Sequence, residues 1–398
     1  MMNSEAKVIY FDNNATTAID PAVFAAMEPF LKDYYGNPSS IYSFGGRIAA
    51  CVEKARTQVA ELLGAVHRDQ AGHATEVIFT SCGTEGDNAA ILSALSTNTG
   101  RHKIVTSKVE HPAVLNLCKE LDRRGYTVVT VPVDGKGRLD MEFLRNAVDR
   151  DTAVVSIMWA NNEIGNIYPV QEIGEIAHFY GALFHTDAVQ AVGKVPMELS
   201  KMPIDFLSLS GHKLHAPKGV GALYVRRGVR FKPFVIGGHQ EKSRRGGTEN
   251  VAGIVALGKA CELAAGNMNT ELSQVRELRD RLEKGILETV PAVRVNGDMD
   301  SRLPNTSSIS FEYIEGEAIL LLLNQFGICA SSGSACTTGS LEPSHVLRAM
   351  GIPYTSAHGT IRFSFSRFNT QEEVDFTLEK LPPVIDRLRS MSPYWNEK

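Results

Sequence analysis

The stretch Asp205-Phe-Leu-Ser-Leu-Ser-Gly-His-Lys213 indicates the fold class, because it reads as a buried strand that ends in small polar residues and a turn. Alternation along a strand places Ser208 and Ser210 on one face, and the turn presents His212 and Lys213 together. In α/β folds, ligands bind beyond the carboxyl ends of the strands. The segment therefore predicts a ligand-binding edge, and a lysine in a solvated loop is the alternative for such a tetrapeptide taken alone.

Six other short apolar runs read as buried strands, and most of them are separated by helical patterns. They cover residues 77–79, 104–105, 128–131, 153–158, 183–184 and 220–225. Strands that alternate with helices are typical of an α/β fold in which helices cover both faces of a sheet. The segment 206–209 then supplies one strand of that α/β sheet.

Two amphipathic helices are predicted from apolar residues at helical spacing, the first over 48–62, where Gly64 ends it, and the second over 272–282. The apolar positions are Ile48, Val52, Ala55, Val59 and Leu62 in the first helix and Leu272, Val275, Leu278 and Leu282 in the second. Between the two helices, the Gly- and Arg-rich segment 237–247 reads as a loop.

A chain of 398 residues is too long for one ordinary compact unit, so we expect two domains. We expect residues 17–262 to form the large domain. Residues 1–16 and 263–398 are expected to form the small domain, because the second amphipathic helix opens a new region that continues to the C-terminus.

Composition excludes several classes of function. The net charge of -4 and the pI near 6.3 provide no basic field for nucleic acid, and no apolar run is long enough to span a membrane. Residues 1–7 contain no apolar signal core, so we expect a cytoplasmic protein in a reducing compartment. Its six cysteines are then expected to be thiols, and no pair has the C-x-x-C spacing of a zinc or redox site.

Two further strand ends suggest a cofactor site. Asp187 ends one apolar run, and Gly83 and Thr84 follow another run at a predicted helix start. Pyridoxal phosphate (PLP) requires a carboxylate against its pyridine nitrogen and a cradle for its phosphate, which a helix N-terminus provides. Lys213 is then expected to bind the aldehyde of the cofactor, and the hydroxyl of Ser210 is expected to bind its phosphate. An aspartate cap and a Gly-Thr cap are the alternatives for each motif taken alone.

His111 and Asn162 complete the expected surroundings of the ring. His111 follows the run 104–105, where an imidazole can stack on the ring and move protons, and a structural histidine is the alternative. Asn162 follows the run 153–158 and offers an amide to the ring hydroxyl, and its alternative is a simple turn.

The segment Ser331-Ser-Gly-Ser-Ala-Cys336-Thr-Thr-Gly-Ser340 is the most unusual part of the sequence. Cysteine is ordinarily buried, so Cys336 in a loop of small residues is expected to be exposed and reactive. Loop mobility would let its thiolate enter the site, attack sulfur and carry the product away, and an incidental exposed cysteine is the alternative. Pro343 is predicted in the first turn of a helix with an apolar face made of Val346, Leu347 and Met350.

Arg362 lies in a strand-like segment, Gly359-Thr-Ile-Arg362-Phe-Ser-Phe-Ser. A guanidinium binds the α-carboxylate of an amino acid through two hydrogen bonds, which lysine cannot match. Arg362 is therefore predicted to hold a substrate carboxylate, and an interface salt bridge is the alternative.

In these motifs the chain resembles the cysteine desulfurases of the class-V aminotransferase group, and among them the NifS type of nitrogen-fixing bacteria. The resemblance extends over essentially the whole chain, from Asp12-Asn-Asn-Ala-Thr-Thr17 through Glu315-Gly-Glu-Ala to residues 331–344. The cysteine segment, with Leu341-Glu-Pro-Ser after Cys336, is similar to that of the long-loop subgroup.

Two other motifs, Gly211-His-Lys-Leu-His-Ala-Pro-Lys-Gly219 and Thr80-Ser-Cys-Gly-Thr-Glu85, are closer to the nitrogen-fixation branch than to the housekeeping branch. The chain departs from the family pattern at two places. Glu241-Lys-Ser-Arg replaces the more usual Glu-Arg-Gly-Arg, and Gly86 stands where Ser or Ala is common.

The resemblance implies fold type I of the PLP enzymes, with a PLP-binding large domain that contains a mostly parallel seven-stranded sheet. The smaller α+β domain would carry the cysteine loop. Lys213, Cys336 and His111 are the implied catalytic residues, and Arg362 and Asn14 are the implied substrate-binding residues. The implied cofactor-binding residues are Gly83, Thr84, His111, Asn162, Asp187, Gln190, Ser210, His212, Lys213 and Thr248.

The implied reaction removes sulfur from L-cysteine, releases L-alanine and leaves a persulfide on Cys336. The expected acceptor is a NifU-like iron–sulfur scaffold that serves nitrogenase maturation. Thr248 is expected to reach the phosphate of the neighbouring subunit, which implies a homodimer. No metal is expected in the resting enzyme, and metal contact is expected to be transient, through the persulfide of Cys336 to the scaffold cluster.

Two other functions are also consistent with the sequence. A transaminase or β-lyase of the same fold would not require Cys336. A non-catalytic sulfur carrier or assembly subunit would keep the fold as a platform.

Overall fold

The structure is a computed structural model that describes residues 8–332 and 343–395. Its main sheet has seven strands in the order β2-β8-β7-β6-β5-β3-β4. These strands are β2 (Val77–Thr80), β3 (Lys103–Ser107), β4 (Thr127–Val131), β5 (Thr152–Ser156), β6 (Leu183–Asp187), β7 (Phe206–Ser210) and β8 (Gly221–Val225). Only β8 among them runs antiparallel to its neighbours, so the predicted mostly parallel seven-stranded sheet is confirmed.

The helices that belong to this sheet lie before and between its strands. They are α1 (Pro21–Lys32), α2 (Ser43–Leu62), α3 (Gly83–Thr97), α4 (Pro112–Arg123), α5 (Met141–Ala147), α6 (Val170–Phe179), α7 (Gln240–Ser243) and α8 (Val251–Gly266), with 3₁₀ turns at Leu199–Lys201 and Gly211–Lys213. Helix α2 confirms the first predicted helix, and Gly64, with φ of +64°, lies just beyond its end.

A second region follows α8. Its helices are α9 (Met268–Thr270), a π-helical stretch (Glu271–Val275), α10 (Arg276–Thr289), α11 (Gly316–Asn324), α12 (His345–Ala349), α13 (Tyr354–His358) and α14 (Gln371–Ser390). Its strands are β9 (Val293–Asn296), β10 (Thr306–Phe311), β11 (Ile328–Cys329), β12 (Ser331–Ser332) and β13 (Thr360–Ser364), and β1 (Ile9–Tyr10) pairs with β11. Strands β12, β13, β10 and β9 form an antiparallel sheet.

The hydrophobic core supports a division into two domains. Ile9 and Phe11 pack in the same apolar cluster as residues of α10, β10, β13 and α14, whereas the residues of the main sheet belong to other clusters. The expected boundary at 262/263 falls inside α8. We propose instead that the division lies just after Gly266, where α8 and the helical segment Met268–Thr289 meet at a bend of 59°.

Three local features qualify the sequence predictions. The second predicted amphipathic helix is present within Met268–Thr289, and its middle contains a π-helical stretch. The predicted loop 237–247 contains one short helical turn, α7. The prediction that Pro343 lies in the first turn of a helix is wrong, because α12 begins at His345 and Ser344 caps it by accepting a hydrogen bond from Val346 N.

Among the described helices, none is by itself long and apolar enough to cross a membrane. The bent pair Val251–Gly266 and Met268–Thr289 meets the length and composition criteria only when its two parts are joined.

Candidate active site

A cavity of about 380 Å³ opens at the carboxyl ends of the parallel strands. It brings together most of the predicted site residues. They are Asn14, Gly83, Thr84, His111, Asn162, Asp187, Gln190, Ser210, His212, Lys213 and Arg362. Thr248 lies in a separate cleft with Arg245 and Gly219. The proposed nucleophile Cys336 lies outside the described residues, whereas Ser331 and Ser332 of β12 line the cavity.

Lys213 ends the 3₁₀ turn that follows β7, as the sequence predicts. Its Nζ donates hydrogen bonds to the backbone carbonyls of Asn14 and Ala15, the second at 2.7 Å. Burial, followed by the charges of Arg362 and Lys194, lowers the pKa of Lys213 to about 7. A substantial share of this amine is therefore neutral near pH 7, which both attack on an aldehyde and proton abstraction require.

Asp187 is the last residue of β6, and its Oδ1 accepts a hydrogen bond from Val189 N at 2.9 Å. Burial and then the neighbouring Asp87 raise the pKa of Asp187 to about 7. A cationic group placed against this carboxyl would lower that pKa again, because the opposite charge favours the ionised form. The environment of Asp187 thus suits a protonated pyridine nitrogen.

Gln190 offers a second test of the fit to PLP. Its Nε2 donates to the carbonyl of Asn14 at 3.0 Å, while its Oε1 is buried and has no hydrogen-bond partner among residues 8–332 and 343–395. Buried polar atoms are nearly always paired in native proteins, so an orphaned amide beside a cavity indicates a missing polar ligand. The ring substituents of PLP meet that requirement.

The predicted phosphate cradle lies at the start of α3, a helix of 15 residues. Gly83 leaves room there, because a Cβ atom at this position would lie 2.7 Å from Cγ2 of Val189 and force one of the two residues to move. Ser210 is adjacent, with its Cβ 3.7 Å from the same point. Free N–H groups at the start of a long helix, a serine hydroxyl and Thr84 form a suitable anion site. We conclude that the residues present fit PLP at its ring, aldehyde and phosphate ends.

His212 and His111 both have a lowered pKa, which favours the neutral imidazole. Burial, followed by the charge of Lys213, lowers the pKa of His212 to about 4, and its Nδ1 lies 3.1 Å from Thr16 Oγ1. Burial also lowers the pKa of His111. Nδ1 of His111 accepts a hydrogen bond from Ala113 N at 3.1 Å and so caps α4. His111 thus has a structural role as a helix cap as well as a place in the cavity wall. Because Nδ1 accepts this hydrogen bond, the proton of the neutral imidazole lies on Nε2.

Arg362 lies on β13 and reaches across to the N-terminal segment. Its Nη1 donates to the carbonyl of Asn162 at 3.0 Å, and its Nη2 donates to Oδ1 of Asp12 at 2.8 Å. Asn14 stabilises the same corner, since its Nδ2 donates to the carbonyl of Asn162 at 3.1 Å. Arg362 therefore forms an ion pair within its own chain, and its role as the binder of a substrate carboxylate stays a prediction.

Four acidic residues of the site were not predicted from the sequence. Asp12 pairs with Arg362 across 350 positions of the chain. Burial raises the pKa of Asp87 to about 7 and that of Glu110 to about 8. Burial also raises the pKa of Glu163, which accepts a hydrogen bond from Ser344. Glu110 directly precedes the predicted residue His111, and Glu163 directly follows the predicted residue Asn162. This adjacency is the signal in the sequence that could have revealed them.

No group of three or more His, Cys, Asp or Glu side chains suited to a metal ion occurs within residues 8–332 and 343–395. The expectation of a resting enzyme without metal remains a prediction.

The comparisons with known proteins agree with this geometry. The model of the family described as Aminotransferase class-V matches residues 9–376. The protein named Cysteine desulfurase NifS from Azotobacter vinelandii is 58% identical over 388 residues, which cover 98% of this chain and 95% of that protein. Cysteine desulfurase 1 from Trichormus variabilis is 57% identical over 391 residues, covering 98% of this chain and 96% of that protein.

Solved structures give the same result. A structure named NifS-like protein superposes with a TM-score of 0.89 and 39% identity, covering 96% of this chain and 100% of that one. The NifS-like protein from Rickettsia africae has a TM-score of 0.84 and 33% identity, with coverage of 96% and 100%. The chain therefore belongs to the class-V aminotransferases, a PLP-dependent enzyme family of fold type I, and within that family to the cysteine desulfurases of the NifS type.

Proposed function

We propose that this protein is a cysteine desulfurase that removes sulfur from free L-cysteine and releases L-alanine. The observation that carries the proposal is the joint placement of Lys213, Asp187 and Arg362 around one cavity. An amine with a pKa near 7, a buried carboxyl and a guanidinium are the groups that a PLP enzyme acting on an α-amino acid requires.

We assign the cofactor contacts by the position of each residue in the cavity. Lys213 would form the bond to the PLP aldehyde, Asp187 would face the pyridine nitrogen, and His111 would stack on the ring. Asn162 and Gln190 would contact the ring substituents. The phosphate would be held by Gly83, Thr84, Ser210 and His212, and by Thr248 of a second subunit. When bound, PLP supplies an electron sink for the charge that develops at the substrate Cα.

The chain's own residues would handle the substrate and its protons. Arg362, supported by Asn14, would orient the substrate carboxylate. The amine of Lys213, when it is free and neutral, would take the substrate Cα proton, which its lowered pKa allows near pH 7. His111, with its Nδ1 engaged by Ala113 N, would present Nε2 as the proton carrier.

The sulfur step is assigned to Cys336, which lies outside the described residues. Its thiolate would attack the substrate sulfur, so that an S–S bond forms while the Cβ–S bond breaks, and the carbon skeleton takes up a proton to become alanine. The thiol of Cys336 thereby becomes a persulfide. One cysteine and one enzyme thiol give one alanine and one enzyme persulfide, so no external oxidant or reductant is needed.

We further propose that the persulfide is delivered to a NifU-like iron–sulfur scaffold for nitrogenase maturation, and that the active unit is a cytoplasmic homodimer. The support is the identity of 58% with the protein named Cysteine desulfurase NifS over nearly the full chain. A direct test is anaerobic transfer of ³⁵S from labelled cysteine through this enzyme to a purified NifU-like scaffold. Label that stays on the enzyme while alanine forms would contradict the scaffold assignment.

The desulfurase proposal is tested by spectrum and product. The purified enzyme should show the visible absorbance of lysine-bound PLP. Addition of L-cysteine should change that spectrum and release alanine. Lys213→Ala should lose both the absorbance and turnover, whereas Cys336→Ala should keep the absorbance and lose sulfur transfer.

The same assay separates the rival functions. A transaminase or β-lyase would keep its full rate in Cys336→Ala, and that outcome would reject the nucleophile assignment. A non-catalytic assembly subunit would stay colourless after incubation with PLP.

A further inference from the structure

The ion pair between Arg362 and Asp12 lies at the edge of the cavity and carries an inference beyond the cofactor chemistry. The side chain of Arg362 is 9% exposed and that of Asp12 is 19% exposed, so the pair is largely shielded from solvent. Both residues line the same cavity as Lys213. An incoming carboxylate therefore meets a negative charge beside the guanidinium that is expected to bind it.

We propose that Asp12 is a specificity-determining residue, an internal counter-ion that makes the Arg362 subsite favour zwitterionic amino acids over simple carboxylates. The inference rests on the proposed function, since it takes Arg362 as the carboxylate binder. With Asp12 present, the Arg362–Asp12 pair has no net charge. A simple carboxylate adds an uncompensated anion to this pair, whereas a free amino acid carries its own ammonium group.

Arg362 has a donor that neither Asp12 nor Asn162 uses. Nη2 contacts Asp12 and Nη1 contacts the carbonyl of Asn162. Nε is buried and has no hydrogen-bond partner within the part of the chain that the structure describes. A buried guanidinium N–H without an acceptor is unusual and indicates a site for one. A carboxylate at Nε would share the guanidinium with Asp12 and experience its repulsion.

The backbone holds Asp12 independently of Arg362. Its carbonyl accepts a hydrogen bond from Ala15 N at 2.9 Å, and the residue pairs with Ser364 in a parallel bridge. On either side, Ser364 N donates to the carbonyl of Phe11 at 2.8 Å and Asn13 N donates to the carbonyl of Ser364 at 3.2 Å. Asp12→Asn should therefore keep the turn and an acceptor for Arg362 while it removes the charge.

The experiment compares propionate with L-alanine, which differ only by the amino group, on the PLP-loaded enzyme. Dissociation constants are measured by calorimetry for the wild type and for Asp12→Asn. Removal of one partly shielded charge beside the ligand should tighten propionate binding by about tenfold or more, and should change L-alanine binding by less than about threefold. Asp12→Ala should shift propionate in the same direction.

The control is Asp375→Asn, which removes an acid from the exposed pair with Arg281 and should leave both constants unchanged. Thermal unfolding and the cofactor spectrum check that each variant is folded. Propionate binding that is unchanged or weaker in both Asp12 variants would overturn the inference and leave Asp12 as a support for Arg362. Failure of the wild type to form alanine from L-cysteine would instead reject the proposed function.

Discussion

At the scale of single residues, Lys213 and Asp187 have pKa values displaced toward each other. Burial lowers the first and raises the second, and both reach about 7. A lysine amine and an aspartate carboxyl in water would both be charged near neutral pH, so their environments make both groups easy to titrate. A cofactor with a basic ring nitrogen and an aldehyde can use both groups, the carboxyl of Asp187 at the nitrogen and the amine of Lys213 at the aldehyde.

Asp187→Asn should keep the shape of the site and remove the charge that favours a protonated ring. We expect alanine formation from L-cysteine to fall by about 100-fold or more, because the ring then withdraws electrons poorly. The product assay and the cofactor absorbance measure this together. Retained absorbance with lost turnover is the expected pattern, and wild-type turnover would contradict the role of Asp187.

The capture of PLP by apoenzyme should depend on the protonation of Lys213. Because the amine is neutral only above its lowered pKa, the rate should rise as the pH passes through about 7 and level off about one unit above it. Arg362→Gln removes the charge that, after burial, contributes most to lowering this pKa, so the midpoint should move upward. Stopped-flow absorbance over pH 5.5 to 9.5 measures both curves, and identical midpoints would contradict the electrostatic account.

At the scale of elements, the turn α7 contains one of the two departures from the family pattern. Its residues Glu241, Lys242 and Ser243 all have positive φ, at 48°, 57° and 63°. L-residues are disfavoured in this left-handed region, and glycine is not. Ser243 stands where the family pattern has glycine, so this chain has replaced the residue that the backbone conformation favours.

Ser243→Gly should therefore stabilise the protein, by up to about 1 kcal/mol, because relief of left-handed strain exceeds the entropy cost of glycine. The lost side-chain contact, between the hydroxyl and His239 Nδ1, is exposed. Ser96→Gly, in the last turn of α3, is the control, because Ser96 does not have a positive φ and glycine there relieves no strain, so the variant should destabilise. Chemical denaturation measures both variants, and a loss of stability in both would contradict the strain argument.

A buried ion pair ties the same turn to α2, and a hydrogen bond from a backbone N–H ties it to β2. Arg56 of α2 donates to both carboxylate oxygens of Glu241, at 2.6 and 2.8 Å, and Phe79 N of β2 donates to the same group at 2.9 Å. Glu241→Gln should lower the free energy of unfolding by up to about 3 kcal/mol, because it removes one of the two carboxylates that face the buried guanidinium of Arg56 and leaves the pair with Glu53. Thermal unfolding measures this loss, and Asp375→Asn, in an exposed pair, should change little.

The sequence predicted those helices and strands whose pattern of apolar residues lies within the element itself. The apolar runs gave the seven strands of the main sheet, and the spacing from Ile48 to Leu62 gave α2, because burial imposes these periods directly. The cap of α12 was misjudged, since Pro343 and Ser344 are both common at helix starts and the serine side chain makes the cap bond. The pairing of Asp12 with Arg362 has no local signal, because it depends on the tertiary fold alone.

At the scale of the whole molecule, Thr248 is the one predicted site residue within 8–332 and 343–395 that does not line the cavity of its own chain. If it serves the neighbouring subunit, the protein should sediment as a dimer of twice the 43.4 kDa chain mass. Thr248→Ala should then weaken PLP binding by about tenfold, as expected for one lost hydrogen bond to a charged phosphate. Sedimentation velocity and equilibrium dialysis of PLP measure these outcomes, and a stable monomer that binds PLP normally would contradict the assignment.

The antiparallel direction of β8 limits how the amine of Lys213 can move. Because β8 runs back beside β7, the chain returns directly to the sheet after Lys213 and needs no crossover helix. The connection is closed at its base by Gly211 N, which donates to the carbonyl of Val220 at 2.9 Å. A loop tied so closely at both ends has little freedom to translate. Rotation about the bonds of the lysine side chain is left as the route by which its nitrogen swings between the backbone carbonyls and a bound aldehyde.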